Sequence, residues 1–268
     1  MLGKAEEISE GGCDVKDRFA TQVLNYGGGS QTICICVLIA EGVLPRPDRI
    51  VIADTGREVR STWDYLHQHI TPYLKKRGLS VEIASHDLAT VDLYSLKSET
   101  VLIPVFTQTG KMRSWCSGEW KTSVVRRYLR ASGVASATQW IGYALDEKRR
   151  WQGKSTEDGP WRLRFPLVEL GIVQADCAVI IKKAGLPEAR KSRCWMCPNQ
   201  PNAEWRQLRD EFPKEFEDAC RLDDEIREED DEHAFFLHQS RVPLREADLS
   251  AADRKEPNRQ CTLGTCFV

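Results

Sequence analysis

No apolar run in this 268-residue chain approaches the about 18 residues that a membrane-spanning helix needs. A helical membrane protein is therefore not expected. Charge of one sign is also missing: 38 Lys and Arg stand against 40 Asp and Glu, a net charge of −2. That balance excludes a global attraction to polyanions. The first stretch, Met1 to Asp17, is polar and acidic and has no apolar signal-peptide core. It is expected to be a mobile leader, and the protein to be cytoplasmic. There is no internal repeat and no low-complexity segment. The apolar fraction, 41%, is that of an ordinary globular protein. What the chain does have is cysteine, ten in all. Without an export signal, so many cysteines point to metal binding or thiol chemistry rather than to disulfides.

The most informative segment is Val23-Leu-Asn-Tyr-Gly27-Gly28-Gly29-Ser30-Gln31-Thr32. An apolar run, read as a strand, enters three glycines, and an apolar helical run follows to Gly42. Glycines at a strand-to-helix turn let backbone N–H groups face an anion, and the helix adds its positive end. One strand later comes Asp54-Thr55-Gly56, after the buried-type run Asp48–Asp54. Helices are predicted at 31–41, 58–77, 118–131, 173–183 and 202–222. Strands are predicted at 18–26, 48–54, 79–84 and 138–144, with 100–106 a strand or a loop. Alternating strands and helices predict an α/β fold, a doubly wound, mostly parallel sheet with flanking helices and a C-terminal helical, cysteine-bearing extension. Ligands bind such sheets at the carboxyl ends of the strands, where Gly27–Ser30, Asp54–Gly56 and Gly142 fall. The expected division is a leader at 1–17, a nucleotide-binding α/β domain at 18–170 and the extension at 171–268. The acidic run Asp223–Glu232 reads as a solvated helix face or linker.

Cys194-Trp-Met-Cys197 lies in a Pro- and Asn-rich loop, and such a pair can grip one metal or one edge of a cluster. An iron–sulfur cluster, a structural zinc and a redox dithiol all remain open for it. Cys116 precedes a helix and Cys177 follows Asp176, and with Cys194 and Cys197 they make a candidate four-thiolate set. The tail pair Cys261/Cys266 competes with Cys177 for the fourth place. A tail cysteine could instead be a mobile nucleophile that carries sulfur. Cys34 and Cys36 lie two apart in an apolar helix and share no face, so both read as packing residues, as do Cys13 and Cys220.

Taken in order, the motifs resemble the phosphoadenosine phosphosulfate (PAPS) reductase family of the PP-loop ATP pyrophosphatase superfamily, whose members are adenine nucleotide alpha-hydrolase-like. They are most similar to its phage and bacterial, thiolation-like branch. The carrying residues are Tyr26–Thr32, Ala53–Glu58, Arg113–Lys121, Trp140–Gly142, Pro166-Leu167, Asp176-Cys177 and Ser192–Pro198. The resemblance implies an adenine nucleotide, ATP or adenylyl sulfate, with its phosphates held by Gly27 to Ser30 and Asp54 beside it. It implies Lys121 and the trio Lys148, Arg149 and Arg150 facing the anion, and a 4Fe-4S cluster on the thiolates. The segment 117–164 has roughly twice as many basic as acidic residues, which fits an anion-facing wall.

Three departures stand out. The superfamily loop usually reads Ser-Gly-Gly-x-Asp-Ser, and here Gln31 stands near the place of the aspartate, which bears on Mg²⁺ handling. The chain lacks the reductases' Glu-Cys-Gly-Ile-His tail. It also has one cysteine, Cys116, where cluster-bearing reductases have two. Three functions follow as expectations. The first is an ATP-activating sulfurtransferase with a nucleic-acid acceptor and a sulfur donor such as a cysteine desulfurase. The second is an adenylyl sulfate reductase that uses Cys266. The third is a non-catalytic nucleotide-binding component.

Overall fold

The computed structural model describes residues 18–95, 100–153, 155–228 and 234–251. The leader 1–17 with Cys13, and the tail pair Cys261 and Cys266, lie outside the described residues.

In chain order the strands are β1 (Gln22–Asn25), β2 (Arg49–Ala53), β3 (Glu82–Ala84), β4 (Tyr94–Ser95), β5 (Thr100–Val101), β6 (Ala137–Trp140), β7 (Glu157–Asp158) and β8 (Trp161–Arg164). The main sheet has the order β3-β2-β1-β6-β8-β7. Every pairing in it is parallel except the edge pair β7–β8. Leu24 lies between Ile50 of β2 and Trp140 of β6 in register. Strands covered on both faces read as continuous apolar runs, which is why β2 is Ile-Val-Ile at its centre. Strands β1 to β3 run outward on one side, and β6 returns to the other side of β1. The carboxyl ends of β1 and β6 therefore flank the point where the winding reverses, the usual ligand crevice of such sheets.

The helices are α1 (Ser30–Ala40), α2 (Arg60–Tyr65), α3 (Thr71–Lys75), α4 (Ser123–Ala131), α5 (Lys148–Trp151), α6 (Pro166–Glu169), α7 (Gln174–Lys183), α8 (Asn202–Glu211) and α9 (Pro213–Glu228). A π-helical turn, Leu66–Ile70, joins α2 to α3, and another, Gly118–Thr122, leads into α4. Helix α1 is buried from Gln31 to Ile39 because it packs between the sheet and α7. That explains its apolar residues on every face.

The predicted fold class is the one observed, and individual elements differ from the expectation. Trp161–Arg164 is a strand that the sequence reading missed, because Arg162 and Arg164 alternate with Trp161 and Leu163. Of the segment 100–106, Thr100–Val101 pairs antiparallel with β4, and Phe106 forms isolated bridges to Lys111 and Phe236. The helix predicted at 202–222 is two helices, broken at Phe212 before Pro213, whose ring cannot continue a helix. The acidic run is not wholly solvated, since Asp223 is fully buried. It accepts the Leu237 and Leu244 backbone N–H groups, each at 2.7 Å, and pairs with Arg227.

One apolar core joins Leu24, Ile33 and Trp140 to Cys177 and Ile181 of α7. A second joins Leu102 and Trp120 to Met196, Trp205 and Leu237. Both cores take residues from either side of position 170.

Candidate functional site

Strand β1 delivers the chain into the glycine turn. Gly28 has φ +77°, and a Cβ there would lie 2.5 Å from Thr62 Cγ2, so only glycine fits. The Thr32 hydroxyl accepts the Gly27 N–H at 3.3 Å and donates to the Gly29 carbonyl at 3.0 Å, closing the loop on itself. Gly29 caps α1 without a side-chain hydrogen bond. The first N–H groups of α1 lack helical partners, as at any helix start, and carry the positive end of its dipole.

Gly29, Ser30, Gln31 and Thr55 line a cavity of about 980 Å³. The other residues expected to hold the nucleotide do not line it; several of them shape it. Gly27, Gly28 and Thr32 make the turn. Gly142 is buried behind the turn, where a Cβ would lie 2.6 Å from Thr32 Cγ2, so the segment after β6 packs closely against the loop. Asp54 accepts the Gly56 N–H at 2.7 Å in a local turn.

Across the same cavity stand Cys116, Cys194 and Cys197. The Cys197 N–H donates to the Cys194 carbonyl at 3.1 Å, folding the Cys-x-x-Cys loop into a turn. That loop is tied to the segment after β2 by an isolated bridge between Glu58 and Cys194. Cys194 Sγ lies 3.9 Å from both Thr55 Oγ1 and Glu58 Oε1. Burial first, and then the Glu58 carboxylate, push its thiol well above the ordinary range. Burial likewise pushes the Cys197 thiol up. Cys116 Sγ lies 3.2 Å from Ser114 Oγ.

Cys177, the fourth thiol of the expected ligand set, stands apart from the other three. It sits in α7 inside the first core, donates to the Val173 carbonyl at 3.7 Å, and does not line the cavity. Its spacing in a half-apolar helix looked the same whether it packed or ligated. Cys34, Cys36 and Cys220 are buried packing residues.

Among the described residues, no three His, Cys, Asp or Glu side chains are close enough to share one metal ion. Thiolate donors suit an iron–sulfur cluster and a zinc ion alike.

The cavity walls carry Lys121, Lys148, Arg149, Arg150, Lys191 and Arg193, against the carboxylates Asp146, Glu147 and Glu204. Two carboxylates organise the site, and the sequence reading did not single them out. Glu58, buried, bonds Lys121 Nζ at 2.6 Å and accepts the Ser192 hydroxyl at 3.2 Å. It thereby joins the strand-end loop, the segment before α4 and the cysteine loop. Glu147 holds Arg150 at 2.7 Å and accepts both the Ala144 N–H at 3.0 Å and the Gln31 side-chain amide at 3.4 Å. Only the position of Glu58 within the Asp54-Thr-Gly-Arg-Glu58 motif signalled either residue.

No protein-family model and no curated protein matches the chain. Two solved structures are similar to it. One is a phosphoadenylyl-sulfate (PAPS) reductase from Candida auris in complex with phosphate, with 14% identity over 63% of this chain and 75% of that one and a TM-score of 0.39. The other is a U34-tRNA thiolase, NcsA, from Methanococcus maripaludis with its [4Fe-4S] cluster, with 13% identity over 76% of this chain and 70% of that one and a TM-score of 0.43.

Proposed function

We propose that this chain is an adenine-nucleotide-dependent enzyme of sulfur chemistry, in the PP-loop and PAPS reductase-like superfamily that its motifs resemble. One observation carries the reading: the glycine cradle and three cysteine thiols open onto a single cavity. A nucleotide at the cradle would have its phosphates at the N-terminus of α1, under Ser30, with Arg149 and Arg150 beside them. Cys116, Cys194 and Cys197 would hold a 4Fe-4S cluster, which when bound would anchor sulfur or orient the acceptor.

The finer reading is ATP-dependent thiolation. An acceptor oxygen attacks the α-phosphorus, the bond to the β-phosphate breaks and pyrophosphate leaves. A sulfur nucleophile then displaces AMP from the adenylated acceptor. Lys121, Arg149 and Arg150 supply charge to oxygens that become more negative in the transition state. The acceptor in this reading is a nucleic acid, and the sulfur comes from a donor such as a cysteine desulfurase. A second reading, compatible with Gln31 in the loop because it needs no ATP cleavage, is reduction of adenylyl sulfate. There Cys266 attacks the sulfate sulfur, AMP leaves, and a second thiol releases sulfite. Among the described residues no helix is long and apolar enough to cross a membrane.

The test is turnover by protein purified without oxygen. AMP and pyrophosphate formed from ATP support thiolation, and sulfite formed from adenylyl sulfate supports reduction. Nucleotide binding without either product contradicts the enzymatic reading. Ser30→Ala should weaken nucleotide binding, and unchanged affinity removes the cradle.

A further inference from the structure

We propose that the cradle takes its phosphates without a divalent cation, their charge being met by fixed side-chain cations. This rests on the reading of the glycine turn as the phosphate site. A Mg²⁺ ion at a nucleotide uses one or two free carboxylates beside the phosphates. The glycine turn itself, Gly27 to Thr32, carries no carboxylate. Gln31 is an amide, and its Nε2 donates to Glu147 while its Oε1 receives the Ser30 hydroxyl at 3.2 Å. Both oxygens of Glu147 are engaged, one by Arg150 and the other by the Ala144 N–H and Gln31. Glu204 pairs through Oε1 with Lys191 at 3.2 Å, and its Oε2, which accepts no hydrogen bond, faces the Arg193 guanidinium at 3.8 Å. Asp146, on the exposed rim, gives one oxygen to the Gln174 N–H at 3.0 Å and is the remaining carboxylate on the wall.

Cations are in surplus on the same walls. Lys148 and Arg149 are exposed on α5, and no ion pair is formed by either among the described residues. Arg150, buried, stacks 4.3 Å from the Tyr143 ring and is held by Glu147. Glu147 thus serves as a positioning residue. It aligns the Gln31 amide and the Arg150 guanidinium at the mouth of α1, and its own charge is neutralised by Arg150.

The experiment is calorimetric titration of the full chain with inorganic pyrophosphate, once in excess EDTA and once in excess Mg²⁺. The dissociation constants should agree within roughly threefold, less than the ~1.4 kcal/mol of a tenfold change. Gln31→Asp, which restores a loop carboxylate, should weaken binding in EDTA by roughly tenfold or more and make it Mg²⁺-dependent. If that variant does not fold, Arg150→Met is the second probe. It removes a charge-assisted contact and frees Glu147, so binding in EDTA should fall roughly ten- to hundredfold and become Mg²⁺-dependent.

Wild-type binding that tightens more than about tenfold with Mg²⁺ overturns the proposal, and loss of that tightening in Asp146→Asn would identify the ion's ligand. No pyrophosphate binding in either buffer also overturns it. If pyrophosphate binds only with Mg²⁺ while ATP or adenylyl sulfate is still turned over, the metal-free cradle fails and the proposed function stands. Metal-free pyrophosphate binding with no nucleotide binding gives the reverse result.

Discussion

Removing Glu58 should destabilise the protein more than removing any exposed acid. Its side chain is 2% exposed and its partner Lys121 is 13% exposed. Glu58→Ala leaves an ammonium and the Ser192 hydroxyl in a nearly dry pocket. Breaking one side of a buried pair costs about 3–5 kcal/mol, and the small residual exposure of Lys121 places the cost near the lower end. Glu58→Gln keeps the acceptor for Ser192 and loses the charge, a cost of about 2 kcal/mol. Glu58→Gln with Lys121→Met removes both charges, so its cost should be smaller than the sum of the two single variants. Urea unfolding of the four proteins measures the cycle. Removing the exposed Glu217, which pairs with the exposed Arg245, should leave the midpoint unchanged. A Glu58→Ala cost below about 1 kcal/mol, or strict additivity in the cycle, would refute the claim that this ion pair ties three loops together.

Gly28→Ala should abolish nucleotide binding and lower stability, with roughly 1–2 kcal/mol from the positive φ alone. Adding Thr62→Ser removes the clashing methyl and should recover the remainder but not the φ cost; full recovery would contradict the backbone argument. Asp223→Ala strands two buried backbone N–H groups and should cost about 3 kcal/mol. Hydrogen exchange should then speed up at Leu237 and Leu244, and unchanged protection there would count against the clasp. Arg49, bonded to Glu82, holds that carboxyl below its ordinary value of 4.5. Its stabilisation is therefore complete above 4.5 and is lost as pH falls through the lower folded value. Glu82→Gln should lower the melting temperature at pH 7, and the gap from wild type should close in acid. A gap that stayed constant with pH would rule this linkage out.

The glycine turn was legible because its conformation is local. Three glycines between an apolar run and a helix leave few other conformations, and Gly28 is required both by its φ and by Thr62. The Cys-x-x-Cys loop was legible for the same reason. What the sequence hid depends on long-range packing. Cys177 and Cys116 look alike as isolated thiols, yet one packs beneath α1 and the other opens onto the cavity. Glu58 and Glu147 act through residues up to 136 and 116 positions away, and no spacing rule reports such partners. Strand β8 was hidden by its arginines, whose aliphatic stems suit a half-buried strand while their charged heads reach Glu157 and Glu169. Asp223 was hidden within a run of acids, because only the returning segment 237–244 gives it a reason to be buried.

The central claim is that the cysteines facing the cradle form one metal-holding set that excludes Cys177. Iron, acid-labile sulfide and zinc should be measured on oxygen-free preparations of the wild type and of Cys116→Ala, Cys194→Ala, Cys197→Ala and Cys177→Ala. The account predicts about four irons and four sulfides in the wild type, their loss in each of the three cavity variants, and their retention in Cys177→Ala. Zinc in place of iron, no metal in the wild type, or iron lost from Cys177→Ala as completely as from Cys194→Ala would contradict it.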